Sequence, residues 1–156
     1  MKIRISLAIL TFLFLIAMSC GTDKFETTPT IRIKSMNTDF VPLNGTLVII
    51  LECTDKEGDV QDSVIIIKQR LNRRATATIR DTLRYKIPAF PQNNSIQITA
   101  NITYQDILSA ITPLTIPGSS PPQKENDTLI LRLAVRDTAG NVSDTLSSKQ
   151  IVVQRQ

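Results

Sequence analysis

Ser95-Ile96-Gln97-Ile98-Thr99-Ala100-Asn101-Ile102-Thr103-Tyr104 is the stretch on which the fold turns. Ile96, Ile98, Ala100, Ile102 and Tyr104 alternate with Ser95, Gln97, Thr99, Asn101 and Thr103. Successive strand side chains point to opposite faces, so this spacing predicts a strand with one apolar and one wet face. The same period recurs on both sides of it. Downstream, Leu129, Leu131, Leu133 and Val135 share a face over Asp127–Arg136, and Thr145–Gln154 closes the chain. Upstream, Thr46–Thr54 sets Leu47, Ile49, Leu51 and Cys53 together, and Ile31 and Ile33 alternate with Arg32 and Lys34. Between them lie Ser63–Leu71, apolar at first and basic at its end, and Thr78–Ile87, with Ile79, Leu83, Tyr85 and Ile87 opposed to polar neighbours. About seven short strands separated by turn residues predict an all-β, antiparallel sandwich.

One segment breaks the rhythm. Gln105–Asn126 holds Pro113, Pro117, Pro121, Pro122 and the run Gly118-Ser119-Ser120. Asp106–Ile111 reads as one helical turn or a ragged edge strand, and the rest as a solvated loop. Loops of this length are often functional; the alternative is an insertion at the sandwich rim.

Composition sets the outer limits. The chain has 156 residues, a net charge of +4, no His and no Trp. Lys2 and Arg4 belong to a leader, so the mature charge is about +2, too dilute for a nucleic-acid footprint. Ile, Leu, Val and Thr outweigh Ala and Glu, which favours strands. At 42% hydrophobic residues, a single domain builds its core without disulfides.

The N-terminus carries an address. Lys2 and Arg4 precede an apolar run from Leu7 to Ala17, broken only by Thr11, and Met18-Ser19 leads to Cys20. That is a secretory signal, too short for a membrane span. Ile16-Ala17-Met18-Ser19-Cys20-Gly21 resembles the lipobox of bacterial lipoproteins. The resemblance implies acylation of Cys20 by diacylglycerol, cleavage before it, and a lipid bilayer as partner. Gly21 after Cys20 resembles the sorting signal for the outer membrane. Ala17-x-Ser19 also satisfies an ordinary cleavage site, which cuts the same bond and leaves a free thiol. The expected layout is a signal peptide over 1–19, a polar tether over 20–29 and one domain over 30–156. Cys53, in phase with Leu47, Ile49 and Leu51, is expected to be a buried free thiol acting as a small hydrophobe.

Leu133-Ala134-Val135-Arg136-Asp137-Thr138-Ala139-Gly140-Asn141-Val142-Ser143 resembles the end of a bacterial immunoglobulin-like or PKD-like repeat. Asp55-Lys56-Glu57-Gly58-Asp59 is similar to the acidic turn after the second strand of such modules. The resemblance implies an immunoglobulin-like β-sandwich and a cell-surface setting, and supplies no function. The third strand lacks the Trp of antibody-type domains, and the sixth has no Cys to meet Cys53.

Three groups of residues carry candidate chemistry. Asp55, Glu57, Asp59 and Asp62 crowd one turn, and in an immunoglobulin-like fold Asp137, Asn141 and Asp144 join them at the same end. Oxygen-rich clusters of this kind suit Ca²⁺. Against it, Gly58 comes fourth rather than sixth as in an EF-hand, and Asp, Asn and Gly are ordinary turn residues. Lys68, Arg70, Arg73, Arg74, Arg80, Arg84 and Lys86 form a basic strip, readable as a surface for lipid headgroups or acidic glycans. The alternative is a set of solvated charges that discourage edge-to-edge pairing. Finally, Asp-Thr/Ser-apolar recurs at Ser63, Thr82, Thr128, Thr138 and Thr145, and resembles the O-glycosylation acceptor of some exported bacterial proteins. Asp ending a turn and Thr opening a strand explains the same pattern.

An enzyme is the least supported reading. The commonest general base is missing and no phosphate loop or nucleophile elbow is present. The expectation is a non-catalytic binding or structural module of the bacterial cell envelope, with another envelope protein as partner and no nucleic acid. The alternative is a Ca²⁺-dependent or glycan-binding adhesion module; a small hydrolase ranks last.

Overall fold

The computed structural model describes residues 27–74, 80–108 and 112–156, the side chain of Arg80 excepted. Cys20, the leader and the start of the expected Thr78–Ile87 strand lie outside them. Nine strands are present among the described residues: β1 (Thr30–Met36), β2 (Phe40–Val41), β3 (Thr46–Thr54), β4 (Ser63–Arg70), β5 (Arg80–Lys86), β6 (Ser95–Thr103), β7 (Asp127–Arg136), β8 (Leu146–Ser147) and β9 (Ile151–Val153). A single helical turn, α1 (Tyr104–Ile107), follows β6.

The strands form two sheets. One runs β1-β3-β6; the other runs β2-β9-β7-β4-β5, with β8 beside β7. All pairings are antiparallel except the parallel β2–β9 pair. The expected alternation decides which faces meet. Leu47, Ile49, Leu51 and Cys53 of β3 and Leu129, Leu131, Leu133 and Val135 of β7 are all at most 1% exposed. Val64, Ile66, Ile102, Ile151 and Val153 complete the layer between the sheets. Each such aliphatic side chain contributes about 1.5–3 kcal/mol on leaving water.

Three boundaries differ from the sequence expectation, each for a local reason. Tyr104 opens α1 instead of ending a strand. The Thr103 hydroxyl accepts from the Asp106 amide at 3.3 Å and donates to the Asp106 carboxylate at 2.8 Å, which is the N-cap arrangement that starts a helix. The 112–126 part of the expected loop is drawn into a narrow antiparallel excursion: Ile116 N donates to Gln123 O and Glu125 N to Leu114 O, both at 2.8 Å. The expected last strand is split into β8 and β9, and β2 was too short to show any period.

The split has a cause in two serines. Ser148 N donates to Leu131 O at 2.8 Å, while the Ser148 hydroxyl accepts from Leu131 N at 2.9 Å. Ser143 repeats the device on Val135, at 2.9 and 3.0 Å. In both places a side-chain oxygen takes the role of a ladder carbonyl, so β7 stays paired while the chain beside it bends.

Candidate functional site

At one end of the sandwich the turn after β3 meets the hairpin after β7. Asp55, 4% exposed, accepts from Asp59 N at 3.2 Å and donates its own amide to Asn94 O at 3.0 Å. Gly58 holds φ +68°, and a Cβ there would stand 2.8 Å from Asn94 Oδ1, so the tight turn requires glycine. Thr138 bridges the two loops: its amide donates to Asp59 O at 3.2 Å and its hydroxyl to Asp59 Oδ2 at 2.5 Å. Asp137, 1% exposed, accepts from the amide and side chain of Asn141 at 2.7 and 2.8 Å. Asn141 Nδ2 also donates to Thr27 O at 2.9 Å, which fastens the start of the domain to this end.

The two loops therefore converge: Asp55 Oδ2, Asp59 Oδ2 and both Asp137 oxygens serve the loops themselves, while Asp55 Oδ1 and Asp59 Oδ1 are buried without a hydrogen-bond partner among the described residues. Burial raises the Asp55 carboxyl above its ordinary 3.8, with the neighbouring Asp59 carboxylate adding to the rise. Asp62 accepts from Ser63 Oγ at 2.9 Å and lies 3.9 Å from Arg136, while Glu57 and Asp144 are exposed. Among the described residues no three His, Cys, Asp or Glu side chains are grouped so as to hold a metal ion.

The basic strip is not one surface, and its first two members require correction. Lys68 and Arg70 are 6% and 7% exposed, on the inward face of β4 with Val64 and Ile66. Lys68 Nζ donates to Asp106 O and Leu108 O at 2.7 and 2.8 Å and lies 3.3 Å from Asp81. Arg70 pairs with the fully buried Asp127 at 3.1 Å, and Arg155 reaches the same carboxylate at 2.5 Å. A buried charge is tolerable only when paired, and both cations are paired. The placement was legible: period two carries Val64, Ile66, Lys68 and Arg70 onto one face. Arg84 and Lys86 face outward from β5, while Arg73 and Arg74 are exposed in the turn beyond β4.

The hydroxyl candidates also divide. Thr82, Thr138 and Thr145 are exposed and Thr128 is half-buried. Ser63 is 3% exposed with its hydroxyl engaged by Asp62, so the folded chain does not present it as an acceptor. Cys53 is fully buried, and burial pushes its thiol up to about 12. Thiol nucleophiles react as thiolates, so this one is inert.

Two grooves lie outside the polar end. One, of about 720 Å³, runs between β6 and the Ile87–Asn93 segment, with Phe90, Ile96 and Ile98 on its walls. The other, of about 670 Å³, lies between β1 and Leu146–Lys149.

No family model matches the chain, and no protein of curated function matches its sequence. Among solved structures it is similar to the β-glucosidase of Kluyveromyces marxianus in complex with glucose, at TM-score 0.42 and 11% identity over 83% of this chain. A selenomethionine-labelled form of that enzyme aligns at TM-score 0.39 and 11% identity over 82%. In both cases the chain spans about 15% of the enzyme's length.

Proposed function

We propose that the chain is an exported lipoprotein, anchored through an acylated Cys20, whose immunoglobulin-like sandwich is a non-catalytic binding or structural module of the bacterial outer membrane. The observation that carries this reading is the position of Cys20, directly behind an apolar leader and seven residues ahead of Thr27, where Asn141 ties the chain to the domain. Seven extended residues reach about 25 Å at most. The acidic end of the sandwich is thereby held toward the bilayer, and the Gln105–Asn126 end is presented away from it. The immunoglobulin-like topology is supported by the strand order, three strands facing a longer sheet whose centre is β7 and β4. A non-catalytic role is supported by Asp55, Asp59 and Asp137, whose carboxylates accept from groups of the two loops, and by the walls of the larger groove, which carry amides, hydroxyls and apolar groups.

Mass spectrometry of the N-terminal peptide from native membranes tests the anchor. A peptide beginning at Cys20 with diacylglycerol and acyl mass is expected, and Cys20→Ala should leave the chain unanchored. A peptide cut at the same bond with a free thiol would mean ordinary secretion. Crosslinked capture of the anchored protein tests the module, with one envelope protein in near-equal amount as the expected result.

A further inference from the structure

Three aspartates are buried among the described residues, and the fold treats them unequally. Asp127 faces Arg70 and Arg155. Asp137 has both oxygens occupied by Asn141. Asp55, 4% exposed, has no cation within ion-pair distance among the described residues, and its Oδ1 is buried with no hydrogen-bond partner. The carboxyl group beside it repeats the pattern: Asp59 Oδ1 is likewise buried and unpartnered among the described residues. The two groups adjoin, since the Asp59 side chain acts on Asp55 by both charge and hydrogen bonding. The basic residue at this end, Arg136, turns instead to Asp62 at 3.9 Å. Buried carboxylates persist where a cation pairs with them or where they coordinate a metal ion.

We propose that the turn after β3 holds a calcium ion, with Asp55 Oδ1 and Asp59 Oδ1 as its two charged ligands. The donors around the pair separate this from a proton shared between the two groups. Asp55 Oδ2 accepts from the Asp59 amide at 3.2 Å, and the Glu57 amide acts on the same carboxyl. Asp59 Oδ2 accepts from the Thr138 hydroxyl at 2.5 Å. Hydrogen bonds to a carboxylate favour its charged form, so these donors favour a cation over a shared proton. The proton that burial favours on Asp55 leaves when the ion binds, because ligation requires the carboxylate. Two adjoining negative charges match one divalent ion. The donors are oxygens alone: the chain has no His, and Cys53 lies in the core between the sheets. That set selects a hard cation. Calcium takes about six to eight oxygens in irregular geometry, including carbonyls and water, whereas magnesium demands a near-ideal octahedron; an irregular turn suits the former. Asp59 also receives Thr138 of the hairpin after β7, so an ion held there fixes the two loops to one another. The site requires neither acylation nor a partner protein, so it stands or falls separately from the anchor.

The test uses the full chain, stripped with EGTA and titrated with calcium chloride by isothermal titration calorimetry and in thermal melts. Saturation at one ion per chain and a rise in melting temperature are expected, since an ion that binds only the folded chain stabilises it. Asp55→Asn and Asp59→Asn each keep an oxygen and remove a charge. Both are expected to lose the calcium-dependent rise while keeping the far-UV circular dichroism of the parent. Asp59, half-buried, carries the test alone if Asp55→Asn does not fold. Asp144→Asn, at an exposed position on the same end, is expected to keep the rise. No heat and an unchanged melt with calcium overturn the proposal. Stabilisation of the stripped chain by acid, without any response to calcium, assigns the two oxygens to a shared proton and overturns it too. An equal response to magnesium chloride marks general charge screening, and a calcium response that survives both substitutions places the ion elsewhere; either outcome also overturns it.

Discussion

Cys53 and Asp55 stand two positions apart at the end of β3, and burial acts on both in the same direction. For Cys53 it raises the thiol to about 12, so alkylation by iodoacetamide at neutral pH should leave this residue unmodified until denaturant is added. Fast labelling of the native protein would place the thiol outside the core. For Asp55 the raised carboxyl favours the neutral form in the folded state. Its stabilising contribution is then complete below the ordinary value of 3.8 and is lost as pH climbs through the higher folded value. Asp55→Asn keeps an oxygen for the Asp59 amide and removes the titrating charge. Urea melts at acid and neutral pH should show the variant gaining on the parent as pH rises. An identical pH profile for the two would assign the titration elsewhere. Cys53 was readable from its phase with Leu47, Ile49 and Leu51. The burial of Asp55 was not, because it depends on Asn94 and Asp59 closing over the turn.

β7 has more partners than any other described strand, since it pairs with β4, β8 and β9. Its own strand character follows from Leu129, Leu131, Leu133 and Val135. Its continuity beside a bent neighbour follows from the hydroxyls of Ser143 and Ser148. Ser148→Ala removes the acceptor of the buried Leu131 N–H, and an unsatisfied buried amide costs about 1–3 kcal/mol. Equilibrium denaturation should show a loss of that size, with amide exchange accelerated at Leu131. A neutral effect with unchanged exchange would mean that the backbone at residue 148 closes up and pairs unaided. Neither serine could be recognised in the sequence as a ladder substitute. Within Val142-Ser143-Asp144-Thr145-Leu146-Ser147-Ser148, the four hydroxyl residues differ only in which of them faces β7.

Across the whole molecule, the end opposite the acidic loops is closed by charge. Arg70 from β4, Asp127 from β7 and Arg155 beyond β9 share one buried site. Lys68, on the same inward face, links β4 to Asp106 O and Leu108 O. Asp127→Ala leaves Arg70 buried opposite no carboxylate, and breaking such a pair costs about 3–5 kcal/mol. A melt should show a loss near that range; a loss under about 1 kcal/mol would mean that Arg70 reaches water once freed. Local alternation alone determined that the described domain is all-β, where β3, β4, β6 and β7 lie, and which side chains face inward, because a strand's period is written into neighbouring residues. The joining of β1, β3 and β6 in one sheet and the neutralisation of Lys68 and Arg70 were decided by tertiary structure. Each depends on groups distant in sequence, and only the folded chain brings those groups within hydrogen-bonding reach.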